Sequence, residues 1–189
     1  YLMTAPLLFL LCLTSVYGLI FAVSIFVYLF FCVREEARGN ANFPRRELLA
    51  NGLAVLAGTA LFGISIIAPA DRVADIPVGL NLEYFMRRFA SVMTGVWRSY
   101  APVPPLQVEF WSGNIIADKF VLLFLSLAAL ATSIKVFFRA RRILILYCFG
   151  TLSILAFSYF VYNSPNLRHI GHLYIVFMIC LVLASGSEP

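Results

Sequence analysis

The sequence predicts an all-α protein, a polytopic transmembrane helical bundle of about five spans with a polar extracytoplasmic loop. Hydrophobic residues make up 62% of the 189 residues and charged residues 12%, and the mean hydropathy is +0.92. A soluble domain carries about 25% charged residues, so the composition excludes that class. Apolar runs long enough to cross a hydrocarbon core of about 30 Å flank one polar stretch, residues 69–114.

Five apolar runs are the predicted spans, residues 2–33, 47–68, 115–138, 143–162 and 173–184. We expect them to pack as a single transmembrane domain covering residues 1–189. Because the chain begins at Tyr1 and apolar sequence follows at once, we interpret it as part of a longer protein. The four cysteines lie inside apolar runs without CxxC spacing, which is typical of buried packing thiols.

The first two spans differ in character. The first run, 32 residues long, would form about 48 Å of helix, more than a bilayer needs. We expect either a break at residues 14–18 (TSVYG), where hydroxyls and a glycine permit irregular backbone, or a long tilted helix that extends into solvent. The second span is rich in alanine and glycine, which favours close helix packing, and we expect it to be buried in the bundle.

Basic residues indicate the topology. Residues 34–46 and 135–142 together carry eight lysines and arginines against two glutamates. Residues 69–114 and 163–172 carry basic residues that acidic residues nearly balance. By the positive-inside rule, the first pair of segments is cytoplasmic and the second pair is extracytoplasmic.

An amphipathic helix is predicted at residues 81–97, inside the extracytoplasmic loop. Its apolar residues recur at spacings of three and four, with Asn81 as a cap and Glu83 in the first turn. It is too polar to span a membrane, so we expect an interfacial helix that lies flat at the surface. Arg87 and Arg88 fall outside the apolar face, and they either turn toward a substrate phosphate or belong to a helix that merely packs on the bundle.

Two groups of polar residues are candidate site residues. Arg168, His169 and His172 lie in one turn at the membrane interface, where a fork of donors suits a phosphate or pyrophosphate. Two histidines alone are a weak metal signal, and the alternative is that these residues are interfacial anchors. Asp71 and Asp75 are candidates for a general base or for binding a divalent cation, the one cofactor left open, although solvated loop carboxylates are common. No nucleic-acid-binding pattern is present.

Three stretches carry a resemblance to a known family: TSVYG at residues 14–18, the loop that opens with PAD at 69–71 and ends in PP at 104–105 and FW at 110–111, and LRHIGH at 167–172. They resemble the later membrane half of bacterial polytopic proteins similar to C-type glycosyltransferases. The resemblance implies a bacterial inner (plasma) membrane and a polyprenyl-phosphate-linked sugar donor used on the extracytoplasmic face. The acidic base of such enzymes lies in an early loop that has no match in these residues.

The leading functional hypothesis is therefore a membrane glycosyltransferase, or part of one, which acts on a lipid-phosphate sugar donor. In this hypothesis Arg168, His169, His172, Arg87 and Arg88 bind phosphate, and Asp71 or Asp75 places an acceptor or a metal. The alternative is a non-catalytic subunit that packs against partner membrane subunits in a larger complex. A transporter is the weaker third hypothesis, because the spans carry few charges and no repeated half.

Overall fold

The structure is a computed structural model that describes residues 3–39, 45–66, 82–101, 118–161 and 167–186. Within those ranges the chain forms helices and no strands, which confirms the all-α prediction. The helices are α1 (Thr4–Thr14), α2 (Val16–Gly39), α3 (Arg45–Ile66), α4 (Leu82–Tyr100), α5 (Lys119–Phe137), α6 (Arg141–Val161), α7 (Leu167–Ile170) and α8 (His172–Ser185).

Four helices of the described part are long and apolar enough to cross a membrane, Val16–Glu35, Arg45–Ser65, Lys119–Phe137 and Arg141–Val161. The chain is accordingly an integral membrane protein. The predicted last span is the shorter helix α8, whose 14 residues cover about 21 Å. Part of the predicted polar loop 34–46 is helical, because α2 continues to Gly39 before α3 begins at Arg45.

The chain divides into two compact units, Tyr1–Asp75 and Ile76–Pro189. Helices α1 to α3 belong to unit 1, and helices α4 to α8 belong to unit 2. The single transmembrane domain stays a prediction, and each unit is described by itself below.

The break in the first apolar run, which separates α1 from α2, is confirmed at Ser15. This residue is fully extended, with φ −174° and ψ 170°. Its hydroxyl oxygen accepts a hydrogen bond from the amide of Gly18 at 3.0 Å, which is the N-cap arrangement for α2. At the C-terminal end of α1, the Thr14 hydroxyl donates to the carbonyl of Leu11 at 2.8 Å. The two hydroxyls thus satisfy backbone groups that water would satisfy in a soluble protein.

Helix α1 packs along α3, and both helices run in the same direction. The Thr4 hydroxyl donates to the side-chain oxygen of Asn51 at 2.7 Å, and Cys12 lies against Gly58 near the opposite end of α1. The core of unit 1 includes Leu8, Cys12, Ala22 and Val55, one or two from each of the three helices. The cysteine there is a packing residue, as predicted.

The prediction that α3 is buried is wrong, because only one stripe of this helix is covered. Asn51, Val55, Gly58 and Phe62 are buried at spacings of four, three and four residues. The opposite side exposes large apolar residues, Leu49, Leu53, Leu56, Leu61 and Ile64. The small residues that suggested burial differ in their surroundings. Gly58 permits close contact with α1, whereas a Cβ added at Gly63 would have nothing within 4 Å apart from its chain neighbours and the nearby backbone of α3.

These two glycines make a matched pair for measuring helix packing in unit 1. A Cβ at Gly58 would lie 2.6 Å from the Cβ of Cys12, whereas a Cβ at Gly63 would meet open space. We expect Gly58→Leu to lower the free energy of unfolding in detergent by about 3 kcal/mol, the upper part of the range for overpacking. Gly63→Leu should change it by no more than about 1 kcal/mol, in the stabilising direction, since leucine is the better helix former. Equal losses in both variants would contradict this packing.

Helix α4 is amphipathic, as predicted, and packs among the helices of unit 2. Its first half contacts the C-terminal end of α6, where the rings of Phe85 and Tyr159 lie 5.6 Å apart. Its last residue, Tyr100, shares a 2.8 Å hydrogen bond with Tyr147 in the first half of α6. The two helices therefore run alongside each other in opposite directions. The position of α4 relative to the lipid surface stays a prediction.

An aromatic layer joins four helices of unit 2. It consists of Tyr100 from α4, Phe137 from α5, Tyr147 from α6 and Phe177 from α8, with ring centroids 5.4 to 6.5 Å apart. A second link between α4 and α5 is the hydrogen bond from the Trp97 amide to the Ser126 hydroxyl at 2.9 Å. These contacts hold the C-terminal half of α4 in the core of the unit.

The predicted basic turn after the third span is confirmed. Helix α5 ends at Phe137 and α6 begins at Arg141, and the amide of Ala140 donates to the carbonyl of Phe137 at 3.0 Å. At the other end of α5, the Asp118 carboxylate caps the helix by accepting from the amides of Phe120 and Val121. The described helix of this span begins at Lys119, directly after this carboxylate, and the predicted start at residues 115–117 lies outside the described residues.

Candidate functional site

Five of the seven predicted site residues lie on described helices. Arg87 and Arg88 are in α4, Arg168 and His169 are in α7, and His172 is the first residue of α8. Only the backbone of Arg168 belongs to the described part of the chain. Asp71 and Asp75 lie outside the described residues. The catalytic and phosphate-binding roles of all seven stay predictions.

Arg87 lies on the exposed side of α4 and forms an ion pair with Glu83, one helical turn earlier. Both side chains are more than 60% exposed. An exposed pair with this spacing stabilises a helix by only about 0.3 to 0.5 kcal/mol. Its main consequence is that the first turn of α4 presents an exposed, paired charge beside the apolar residues described below.

The expectation for Arg88 is corrected, because this residue is on the buried face of α4. Its side chain is 8% exposed and shares its face with Val92, Val96 and Ser99, which are also buried. The Arg88 guanidinium donates to the Tyr84 hydroxyl at 2.5 Å. The helical wheel alone places arginine outward, but a long apolar stem allows the residue to lie along a packed face.

Aromatic rings fix the position of the Arg88 guanidinium. Its central carbon lies 5.5 Å from the ring centre of Tyr84 and 5.6 Å from that of Tyr159 at the C-terminal end of α6. Both distances are within the range of cation–π attraction, which strengthens where water is excluded. Two helices thus hold one positive charge between tyrosine rings.

An exposed apolar row borders this arginine. We define the apolar row as four residues in the first half of α4, Leu82, Phe85, Met86 and Phe89. Phe85 and Phe89 stack with their ring centres 6.2 Å apart, and Phe85 also contacts Tyr159. The same tyrosine therefore touches both the buried charge and the exposed apolar row, so the two features adjoin.

At the junction of α7 and α8, the ring of His172 contacts the backbone of His169. The Nδ1 atom of His172 lies 3.1 Å from the carbonyl oxygen of His169. A carbonyl only accepts hydrogen bonds, so Nδ1 carries the proton in this contact. The Nε2 atom of that tautomer is then a hydrogen-bond acceptor.

Helix α7 lies at a different level of α4 from Arg88. Ile170 is buried against Gly95, where even a Cβ would collide with the end of the isoleucine side chain. Gly95 is seven residues after Arg88, which is about 10 Å along the helix axis. Arg88 with its apolar row and the histidine junction are therefore neighbouring but separate parts of unit 2.

Potential metal ligands and cysteines are the other reactive side chains of the described ranges. No group of three or more His, Cys, Asp or Glu side chains that could hold a metal ion occurs among those residues. Cys12, Cys32 and Cys180 are buried free thiols, and Cys148 is half-buried. The predicted packing role of the cysteines is confirmed for the first three.

The sequence analysis does not single out Tyr84 or Tyr159, although the sequence contains a signal for Tyr84. Tyr84 precedes Arg88 by four residues, and this spacing places both side chains on one helix face. Tyr159 is 71 residues further along the chain, and no local pattern connects it with α4.

No protein family, curated protein or solved structure matches this chain. The resemblance to C-type glycosyltransferases accordingly stays an expectation from the three sequence stretches.

Proposed function

We propose that this integral membrane protein binds the phosphate of a lipid-linked substrate at Arg88. The observation that carries the proposal is the buried guanidinium, held by Tyr84 and Tyr159 beside the exposed apolar row. A lipid phosphate needs a cation for its phosphate group and, beside it, an apolar surface for its hydrocarbon chain. The substrate class that combines them is a polyprenyl-phosphate-linked sugar, the donor that the sequence resemblance implies.

Arginine suits this role because its planar fork of five N–H donors matches a phosphate. The tyrosine rings keep the guanidinium in one place, so little side-chain entropy is lost when a ligand binds. Partial exclusion of water also strengthens the attraction between opposite charges. The apolar row would contact the first isoprene units while the remaining chain stays in the bilayer.

The charge distribution supports an extracytoplasmic position for this site. The basic turn before α6 favours the cytoplasm for the start of that helix, and Tyr159 is near its other end. In this proposal a sugar is transferred from the donor to an acceptor on that face. Asp71 and Asp75 remain the proposed base or cation ligands. The phosphate-binding role of Arg168, His169 and His172 remains a separate prediction, because the histidine junction lies about 10 Å along α4 from Arg88.

Binding of undecaprenyl phosphate to the purified chain in phosphatidylcholine nanodiscs tests the proposal. We expect Arg88→Gln to weaken binding about 10-fold to 100-fold, as expected when a charged hydrogen bond worth about 1.5 to 3 kcal/mol is lost. Arg88→Lys, which keeps the charge but not the fork, should give an intermediate loss. Lys119→Gln removes an exposed charge at the start of α5 and serves as the matched control, with unchanged affinity.

Arg88 is buried, so the thermal midpoint of each variant is measured as well. Unchanged affinity in an Arg88→Gln protein that keeps its wild-type midpoint would refute the site. Weak binding that appears only together with a lowered midpoint in both Arg88 variants would assign the residue a structural role instead.

A non-catalytic membrane subunit is the second candidate, favoured by the exposed side of α3. Ala57, Ala60 and Gly63 are exposed small residues spaced by three, which would allow another helix to approach closely. The Gly63→Leu variant separates the candidates. A subunit would lose its place in a larger complex on native gels while the purified chain keeps its stability.

A further inference from the structure

We propose that the turn between α5 and α6 binds the headgroup of an anionic phospholipid. The turn forms one side of an open cavity of about 550 Å³, lined by Phe138, Arg139, Arg141, Leu144 and Ile145. Two guanidinium groups thus share a recess with apolar side chains of α6. This site is separate from Arg88 and the apolar row, and it does not depend on the proposed function.

Charge is the first argument for an anionic ligand. Lys135, Arg139 and Arg141 are all exposed in or beside the turn. No acidic residue occurs between Asp118 and Glu188 in the sequence. Asp118 caps the far end of α5, which is about 28 Å away along a helix of 19 residues. The turn is therefore a concentrated positive surface, and a phosphodiester is its natural complement.

The apolar part of the cavity is the second argument, and it favours a lipid over a free anion. Leu144 and Ile145 lie on the first turns of α6, and Phe138 is 69% exposed between the two helices. A soluble phosphate would gain nothing from these side chains. The glycerol and first methylenes of a phospholipid would cover them while the phosphate meets the arginines.

The position in the fold is the third argument. The turn joins α5 and α6, both of which are long and apolar enough to cross a membrane. A short turn between two such helices lies at the depth of lipid headgroups. Basic residues at that depth attract anionic lipids of the cytoplasmic leaflet, the side that the positive-inside rule assigns to this turn.

Native mass spectrometry of the full chain tests the site, with phosphatidylglycerol and phosphatidylcholine as probes in mixed nanodiscs. We expect one phosphatidylglycerol to be retained in preference to phosphatidylcholine. The double variant Arg139→Gln with Arg141→Gln should reduce its affinity about 25-fold, from about fivefold for each charge. Both side chains are exposed, so the thermal midpoint should not change.

The matched control is Arg45→Gln with Arg46→Gln, which removes two exposed charges from a segment assigned to the same membrane face. It should leave phosphatidylglycerol retention within about twofold of wild type, less than the effect of one lost charge. An equal loss of phosphatidylglycerol retention in both double variants would mean that overall positive charge, rather than this turn, attracts the lipid. That result would overturn the site. Displacement of the lipid by millimolar inorganic phosphate would overturn the lipid specificity, as would equal retention of the two lipids.

Discussion

Replacing Gly18 with alanine is expected to lower the free energy of unfolding by about 3 kcal/mol, because the added methyl group has no room. A Cβ at this position would overlap the backbone carbonyl of Leu11 and the hydroxyl of Thr14. The Leu11 carbonyl cannot rotate aside without breaking the last turn of α1. Even the smallest side chain therefore forces α1 and α2 apart at Ser15.

Chemical or thermal unfolding in detergent, monitored by circular dichroism, measures this change. Gly63→Ala is the matched control, since it makes the same substitution at a position where the added Cβ would point into open space. It should be neutral or stabilising by up to about 1 kcal/mol. If Gly18→Ala were as stable as this control, α1 and α2 would have to form the continuous tilted helix that the sequence also allows.

The break at Ser15 shows what a local pattern can predict. A run too long for the bilayer, with two hydroxyls and a glycine at its middle, leaves few other places for an interruption. The other spans follow from apolar run length, and the amphipathic helix α4 follows from its periodicity. Each of these features depends on residues that are close together in the sequence.

Features that depend on distant residues could not be predicted in the same way. Arg88 is polar, and the helical wheel assigns it to the outside of α4, but its surroundings are set by Tyr159 on another helix. Similarly, the alanines and glycines of α3 indicate close packing without showing which of them meets α1. Gly58 touches Cys12, whereas small residues on the opposite side of the same helix are exposed.

The other large expected effect concerns the aromatic layer of unit 2. We expect Tyr147→Ala to lower the free energy of unfolding by about 4 kcal/mol, as for other large aromatic residues removed from a core. Tyr147 is 1% exposed, and its ring contacts Phe137 and Phe177. Tyr147→Phe keeps the ring and loses only the hydroxyl bonded to Tyr100, so it should cost about 1 kcal/mol.

This pair of variants also connects packing with the proposed site. Tyr100 is the last residue of α4, twelve residues after Arg88, so the aromatic layer anchors the helix that carries the arginine. A cavity at Tyr147 should let α4 shift and weaken undecaprenyl phosphate binding at a temperature where the protein is still folded, whereas Tyr147→Phe should bind like wild type. If folded Tyr147→Ala bound undecaprenyl phosphate with wild-type affinity, Tyr84 and Tyr159 would be sufficient to position Arg88, and the aromatic layer would not contribute.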